Sequence, residues 1–172
     1  MKPLDLTKQP PRSPRAMLNG LTMLPRTIDK MRALLPGGNI GNYRIAGFSK
    51  RMLDAIGLEE DALRAVVARA TSDNEVAAWV RERADVSKYE EWNQYLLNRS
   101  IDHIAPENLA KFQADYPVSK TLTSRKLLDI LEAGQNCSFV GSKCGVGFIL
   151  RGTNLGAQSS AVEYRLREAS EK

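Results

Sequence analysis

The chain is predicted to be mainly α, a compact multi-helix bundle with short links, and three observations predict it. Apolar residues recur every three or four positions, as at Leu24, Ile28, Met31 and Leu35, and again at Leu63, Val66, Val67 and Ala70. Helix starts and stops punctuate those stretches: Ser72-x-x-Glu75 and Ser87-x-x-Glu90 read as capping boxes, while Gly57 and Gly134 read as closing residues. The length of 172 residues, 42% of them apolar and 26% charged, suits one domain with a real core.

Taken in order, residues 1–14 hold Pro3, Pro10, Pro11 and Pro14, half of the eight prolines, so they are expected to form an extended arm. The helical domain is expected over residues 15–134. Ser13-Pro14 is a good helix start, with Ala16, Met17 and Leu18 in its first turn, and Asn19-Gly20 weakens or interrupts it. The next helix carries Leu24, Ile28, Met31 and Leu35 on one stripe with Pro25 in its first turn, and Pro36-Gly37-Gly38 ends it. Arg26, Lys30 and Arg32 are placed off that stripe, towards solvent. Tyr43 to Phe48 reads as a short extended piece, followed by a helix that Ser49 caps.

Glu59, Glu60 and Asp61 suit the start of the following helix. The two capping boxes place Trp79 and Trp92 on successive helices as core anchors. Pro106 begins a further helix with Leu109, Phe112 and Tyr116 inward, and Thr123 or Ser124 opens one with Leu127, Ile130 and Leu131 inward. Residues 135–172 are rich in glycine and serine. They read as an extension, a flexible tail in preference to a brief hairpin, with a short terminal helix.

Charge is unevenly placed. Residues 1–51 carry ten Lys and Arg against two acids, a local +8 within a net +5. Such a front favours an anionic partner, either a small molecule or an acidic protein surface. Arg15, Arg26, Lys30 and Arg32 are the candidate anion-binding cations, arginine being a two-pronged donor, and the Tyr43 hydroxyl adds a neutral one. Asp29 is the candidate acid or base. The bland alternative pairs Arg26 with Asp29 or with the acidic helix at Glu59 to Asp61.

Other chemistry is disfavoured. His103 is the one histidine, and Cys137 and Cys144 match no zinc or redox spacing, so no metal is expected. The glycines from Gly141 to Gly147 fit neither a P-loop nor a dinucleotide fingerprint, so no cofactor is expected. A nucleic-acid partner is disfavoured because the cationic front lacks interleaved aromatics. With no secretory signal and no apolar run of about 20 residues, the expected location is the cytoplasm, without a membrane partner. No feature sets an oligomeric state.

Ser13-Pro14-Arg15, Leu24-Pro25-Arg26, Ile28-Asp29-Lys30, Gly41-x-Tyr43, Leu53-Asp54 and Asp73-x-Glu75-Val76-x-x-Trp79 together resemble the bacterial family called domain of unknown function 5069. The likeness is strongest over residues 3–83, continues to Leu127-Leu128-Asp129, and does not include the segment from Asn136. It implies one compact domain and makes the arginines and the Gly-x-Tyr turn part of a family pattern. It carries no activity, substrate or catalytic residue. The preferred reading is a non-catalytic binding or interaction module that uses the cationic front as an exposed surface. The alternative is a small enzyme acting on an anionic metabolite, with Arg26 and Lys30 holding the anion and Asp29 or Tyr43 moving a proton. An enzyme would require a concave pocket with convergent polar groups.

Overall fold

In the computed structural model, which describes residues 1–139, the chain is mainly helical, with seven α-helices and one short hairpin among those residues. The hairpin stands where the sequence suggested a first helical turn. Strands β1 (Met17–Leu18) and β2 (Leu21–Thr22) pair antiparallel, Met17 opposite Thr22 and Leu18 opposite Leu21. Asn19 and Gly20 take φ of 48° and 80°, the two left-handed residues that a tight hairpin turn demands and that Asn-Gly readily supplies. Met23 follows with φ 74°, a conformation that costs a non-glycine residue about 1–2 kcal/mol, and turns the chain into α1 (Leu24–Arg32).

Helix α1 has Pro25 in its first turn, as expected, but stops at Arg32 before Pro36 is reached. Every residue from Leu24 to Met31 is buried. The cationic face is therefore not a solvated one. The N-terminal arm lies across it: Leu4 N–H donates to Arg32 O, Asn39 N–H donates to Leu4 O at 2.9 Å, and Leu6 is fully buried.

Helix α2 (Phe48–Ala55) opens before Ser49, so Ser49 is not its cap but a buried residue of its first turn. Then come α3 (Glu60–Arg69) and α4 (Asp73–Arg83). Ser72 caps α4 as expected, its Oγ accepting from Glu75 N at 3.3 Å. The second box does not form: a short 3-10 turn at Val86–Lys88, capped by Asp85, precedes α5 (Tyr89–Asn98). His103 sits exposed in a later turn, its Nδ1 accepting from Ser100 N–H.

Helix α6 (Pro106–Asp115) and α7 (Leu127–Phe139) complete the described chain. Gly134 does not close α7; the helix continues through it. A Cβ there would lie 3.2 Å from Tyr116 Cδ1, so glycine is needed for close packing rather than for a stop. Residues 140–172, with most of the expected glycine-rich extension, lie outside the described residues.

Two apolar clusters hold these elements. The larger gathers Leu24, Ile28 and Met31 of α1 with residues of α2, α3, α4 and α5, including Trp92, while Trp79 packs partly buried against it. The smaller joins Ile101, Leu127 and Ile130 to Leu109, Phe112 and Tyr116. Phe48 packs against both. Helix α5 also fixes the corner before α1: Asn93 accepts from Thr22 N–H at 3.0 Å and donates to Gly20 O, and Trp92 Nε1 donates to Thr22 O.

Candidate functional site

A cavity of about 580 Å³ opens where the two clusters meet, a volume within the usual range for small-molecule sites. One wall is α1, through Arg26 and Lys30, with Met23 just before it. The loop from Gly41 to Gly47 supplies Tyr43 and Arg44, α6 supplies Lys111, Phe112 and Asp115 with Tyr116 just after it, and α7 closes the back with Gln135. Arg26 and Lys30 are four residues apart, so one helical turn places both on the same face. The strained Met23 sits at the head of that turn and also lines the cavity.

Arg26 is 3% exposed. Its NH1 donates to Arg12 O at 3.0 Å and reaches Pro11 O at 3.5 Å, and its guanidinium lies over the Tyr43 ring, 5.6 Å from the centroid. Among the described residues no carboxylate stands within ion-pair distance of it, and the hydrogen bonds it makes there run from NH1 to backbone carbonyls. The nearby acids are engaged elsewhere. Asp29 is bound by Arg12 through Nε and NH2, both at 2.8 Å, and Glu132 pairs with Arg15. Burial lowers the Arg26 pKa from its ordinary value, yet an arginine remains charged. Asp29 and Glu132 attract it from beyond contact distance, and an anion in direct contact would offset more of the cost of burying the charge.

Lys30 is 7% exposed. Its Nζ donates to Arg44 O at 3.0 Å and to Ser49 Oγ at 3.3 Å. Ser49 Oγ in turn lies 3.1 Å from Thr27 Oγ1, which is 3.0 Å from Met23 O. Nothing acidic touches the amine among the described residues. Burial, with Arg26 and Arg44 adding repulsion, brings its pKa down to about 7, so near neutrality the amine is held at the point where it gives up its proton.

Tyr43 adds a hydroxyl that is buried and has no partner among the described residues, an uncommon state for such a group. Burial raises its pKa and that of Tyr116, so both phenols keep their protons at neutral pH and remain donors. Arg26, Arg44 and Lys111 stand against the single acid Asp115 in the lining, and Asp115 is itself paired with Arg44 at 2.6 Å. The interior is net cationic even with Lys30 neutral.

Of the residues singled out from sequence, Arg26, Lys30 and Tyr43 come together here. Arg15 does not: it pairs with Asp129 and Glu132 on α7. Arg32 donates to Lys2 O and leans on Asp29 at 3.7 Å. Asp29 is 4% exposed and clamped by Arg12 and Arg32, outside the cavity lining, where it fixes the arm onto α1. Arg12, Arg44, Ser49, Lys111 and Tyr116 were not singled out for the site. Ser49 carried a polar-before-apolar signal that read equally well as a cap, and the others had no local signal.

Among the described residues, no group of three or more His, Cys, Asp or Glu is placed to hold a metal ion, and no helix is long and apolar enough to cross a membrane. A family model described as "Domain of unknown function (DUF5069)" matches residues 8–133. None of the curated proteins compared with the chain matches it.

Proposed function

The chain belongs to the DUF5069 family, and from the cavity built largely within the matched residues we propose that it binds, and acts on, a small anionic metabolite. The buried, carboxylate-free Arg26 supports this reading most strongly. Its guanidinium suits a carboxylate or phosphate held through two parallel bonds, and the Tyr43 hydroxyl supplies a further donor that lacks a partner among the described residues. Lys30, with a pKa near 7, is the group suited to exchange a proton or an electron pair with the ligand at neutral pH.

An exposed docking face would need Arg26 and Lys30 in solvent, and both are buried. A concave site with a displaced lysine pKa fits the alternative, a small enzyme acting on an anionic metabolite.

The test is a thermal-shift series of the full chain against inorganic phosphate, small carboxylates and sugar phosphates at low and high salt. At least one anion is expected to raise the midpoint in a saturable way, by a stabilisation of about 2.7 kcal/mol at a hundred times Kd, and less at high salt. Arg26→Met is expected to remove the rise. If no anion moves the midpoint, or if the rise survives in Arg26→Met, the reading is wrong.

A further inference from the structure

The Lys30 amine differs from an ordinary buried lysine in three ways. Its hydrogen-bond acceptors, Arg44 O and Ser49 Oγ, are neutral. Its nearest charges, Arg26 and Arg44, are like charges that disfavour the ammonium. It also lines an open cavity on the same helical face as Arg26, which no carboxylate pairs among the described residues. A lysine kept for structure would be paired with a carboxylate. A desolvated lysine beside other cations is instead the arrangement that makes an amine nucleophilic at neutral pH.

We propose that Lys30 is a nucleophile that forms an imine with the carbonyl carbon of a small oxo acid whose carboxylate is held by Arg26. The proposal rests on the anion-binding reading of the same cavity. The chemistry balances with the carbonyl compound as the one co-reactant. The neutral amine adds to the carbonyl carbon and forms the C–N bond, the carbonyl π pair moves to oxygen, that oxygen gains a proton and the nitrogen loses one. The carbinolamine then expels its hydroxyl as water after taking up a proton, leaving a cationic C=N linkage to Lys30.

Tyr43 and Tyr116, both protonated at neutral pH and both in the cavity wall, are the donors suited to the carbonyl oxygen as it gains charge. Ser49 Oγ, hydrogen-bonded to Nζ, is placed to exchange the amine proton with Thr27 Oγ1 behind it. The oxo acid must be small, since it has to fit with its acid group at Arg26 and its carbonyl at Lys30, one turn along the same helix.

The experiment incubates the full chain with pyruvate or glyoxylate near pH 7, reduces any imine with borohydride, and maps the modified lysines by peptide mass spectrometry. At that pH about half of Lys30 is neutral, against roughly one part in three thousand for a solvated lysine. Labelling of Lys30 should therefore exceed that of the exposed Lys8 on the order of a hundred-fold, saturate with oxo-acid concentration, and be suppressed by an anion without a carbonyl that stabilises the chain. Lys30→Arg should lose the fast label and keep the thermal shift with that carbonyl-free anion. If Lys30 is modified no faster than Lys8 while a carbonyl-free anion still stabilises the chain through Arg26, the imine proposal fails and the anion site stands. If no anion binds at all, both fail.

Discussion

Replacing Lys30 with methionine tests the electrostatics of the cavity through stability alone. The native amine has a pKa of about 7 in the folded chain against 10.5 in solvent. Folding lowers the pKa, so between those values the unfolded chain holds a proton that the folded one lacks, and stability rises with pH through the window. The burden of the buried ammonium is complete below about 7 and is relieved as pH climbs towards 10.5. The charged and titratable neighbours lining the same cavity are Arg26 on α1, Tyr43 and Arg44 on the loop, Lys111 and Asp115 on α6, and Tyr116 just after it. They are common to both proteins and largely cancel in a difference. The stability of the native chain minus that of Lys30→Met should therefore rise by about 1.4 kcal/mol per pH unit above 7, or roughly 2–3 kcal/mol between about pH 6.5 and about pH 9. Urea unfolding of both proteins across that range reads it directly. A difference that stays flat would mean that the amine titrates as a solvated lysine, and the argument for a neutral, reactive Lys30 would be refuted.

Three other substitutions bear on separate parts of the account. Asp29→Asn takes a charge from the clamp that ties the arm to α1 and should destabilise by on the order of 2–3 kcal/mol in urea unfolding, short of a full buried-pair loss because Arg12 is partly solvated and keeps Asp73. Tyr43→Phe removes a hydroxyl without a partner, so stability should hold or rise by about 1 kcal/mol, while calorimetric affinity for the stabilising anion falls; a loss of stability would show that the hydroxyl is bonded in the unliganded chain. Gly38→Ala would place a Cβ 2.7 Å from Ala33 O and 2.9 Å from Arg32 O, backbone atoms that cannot swing aside, so a loss of about 2 kcal/mol or more is expected in thermal unfolding.

The spacing of Leu24, Ile28 and Met31 was enough to place α1 and its buried stripe, and Ser72 and Glu75 were enough to start α4. Periodicity does not say what covers the other face of a helix. It assigned Arg26 and Lys30 to solvent because charged residues ordinarily lie there, whereas the proline-rich arm and the loop before α2 close over them. Prolines mark the arm as extended but do not say what it lies on; its remaining N–H groups and Arg12 bind Arg32 and Asp29 of α1. Arg12 and Asp29 lie 17 residues apart, beyond the reach of any helical pairing rule.

The hairpin is legible in the chain: Asn19-Gly20 between apolar pairs is a strong turn signal, and it prevails over Ser13-Pro14 as a helix start. Lys111, Asp115 and Tyr116 could not have been joined to Lys30 from the chain, since only the packing of α6 against α7 in the second cluster brings them to the cavity. Gly134 showed that a glycine within a helical pattern can mark close approach, here of the Tyr116 ring, as readily as an end.

The measurement that tests the central claim most directly is an NMR titration of the Lys30 side chain, its 13Cε shift followed against pH in the full chain with and without a saturating carbonyl-free anion. The account predicts a midpoint near 7 in the free protein, displaced upwards when an anion occupies the cavity and offsets the repulsion from Arg26 and Arg44. A midpoint in the ordinary lysine range, or one that no anion displaces, would contradict it.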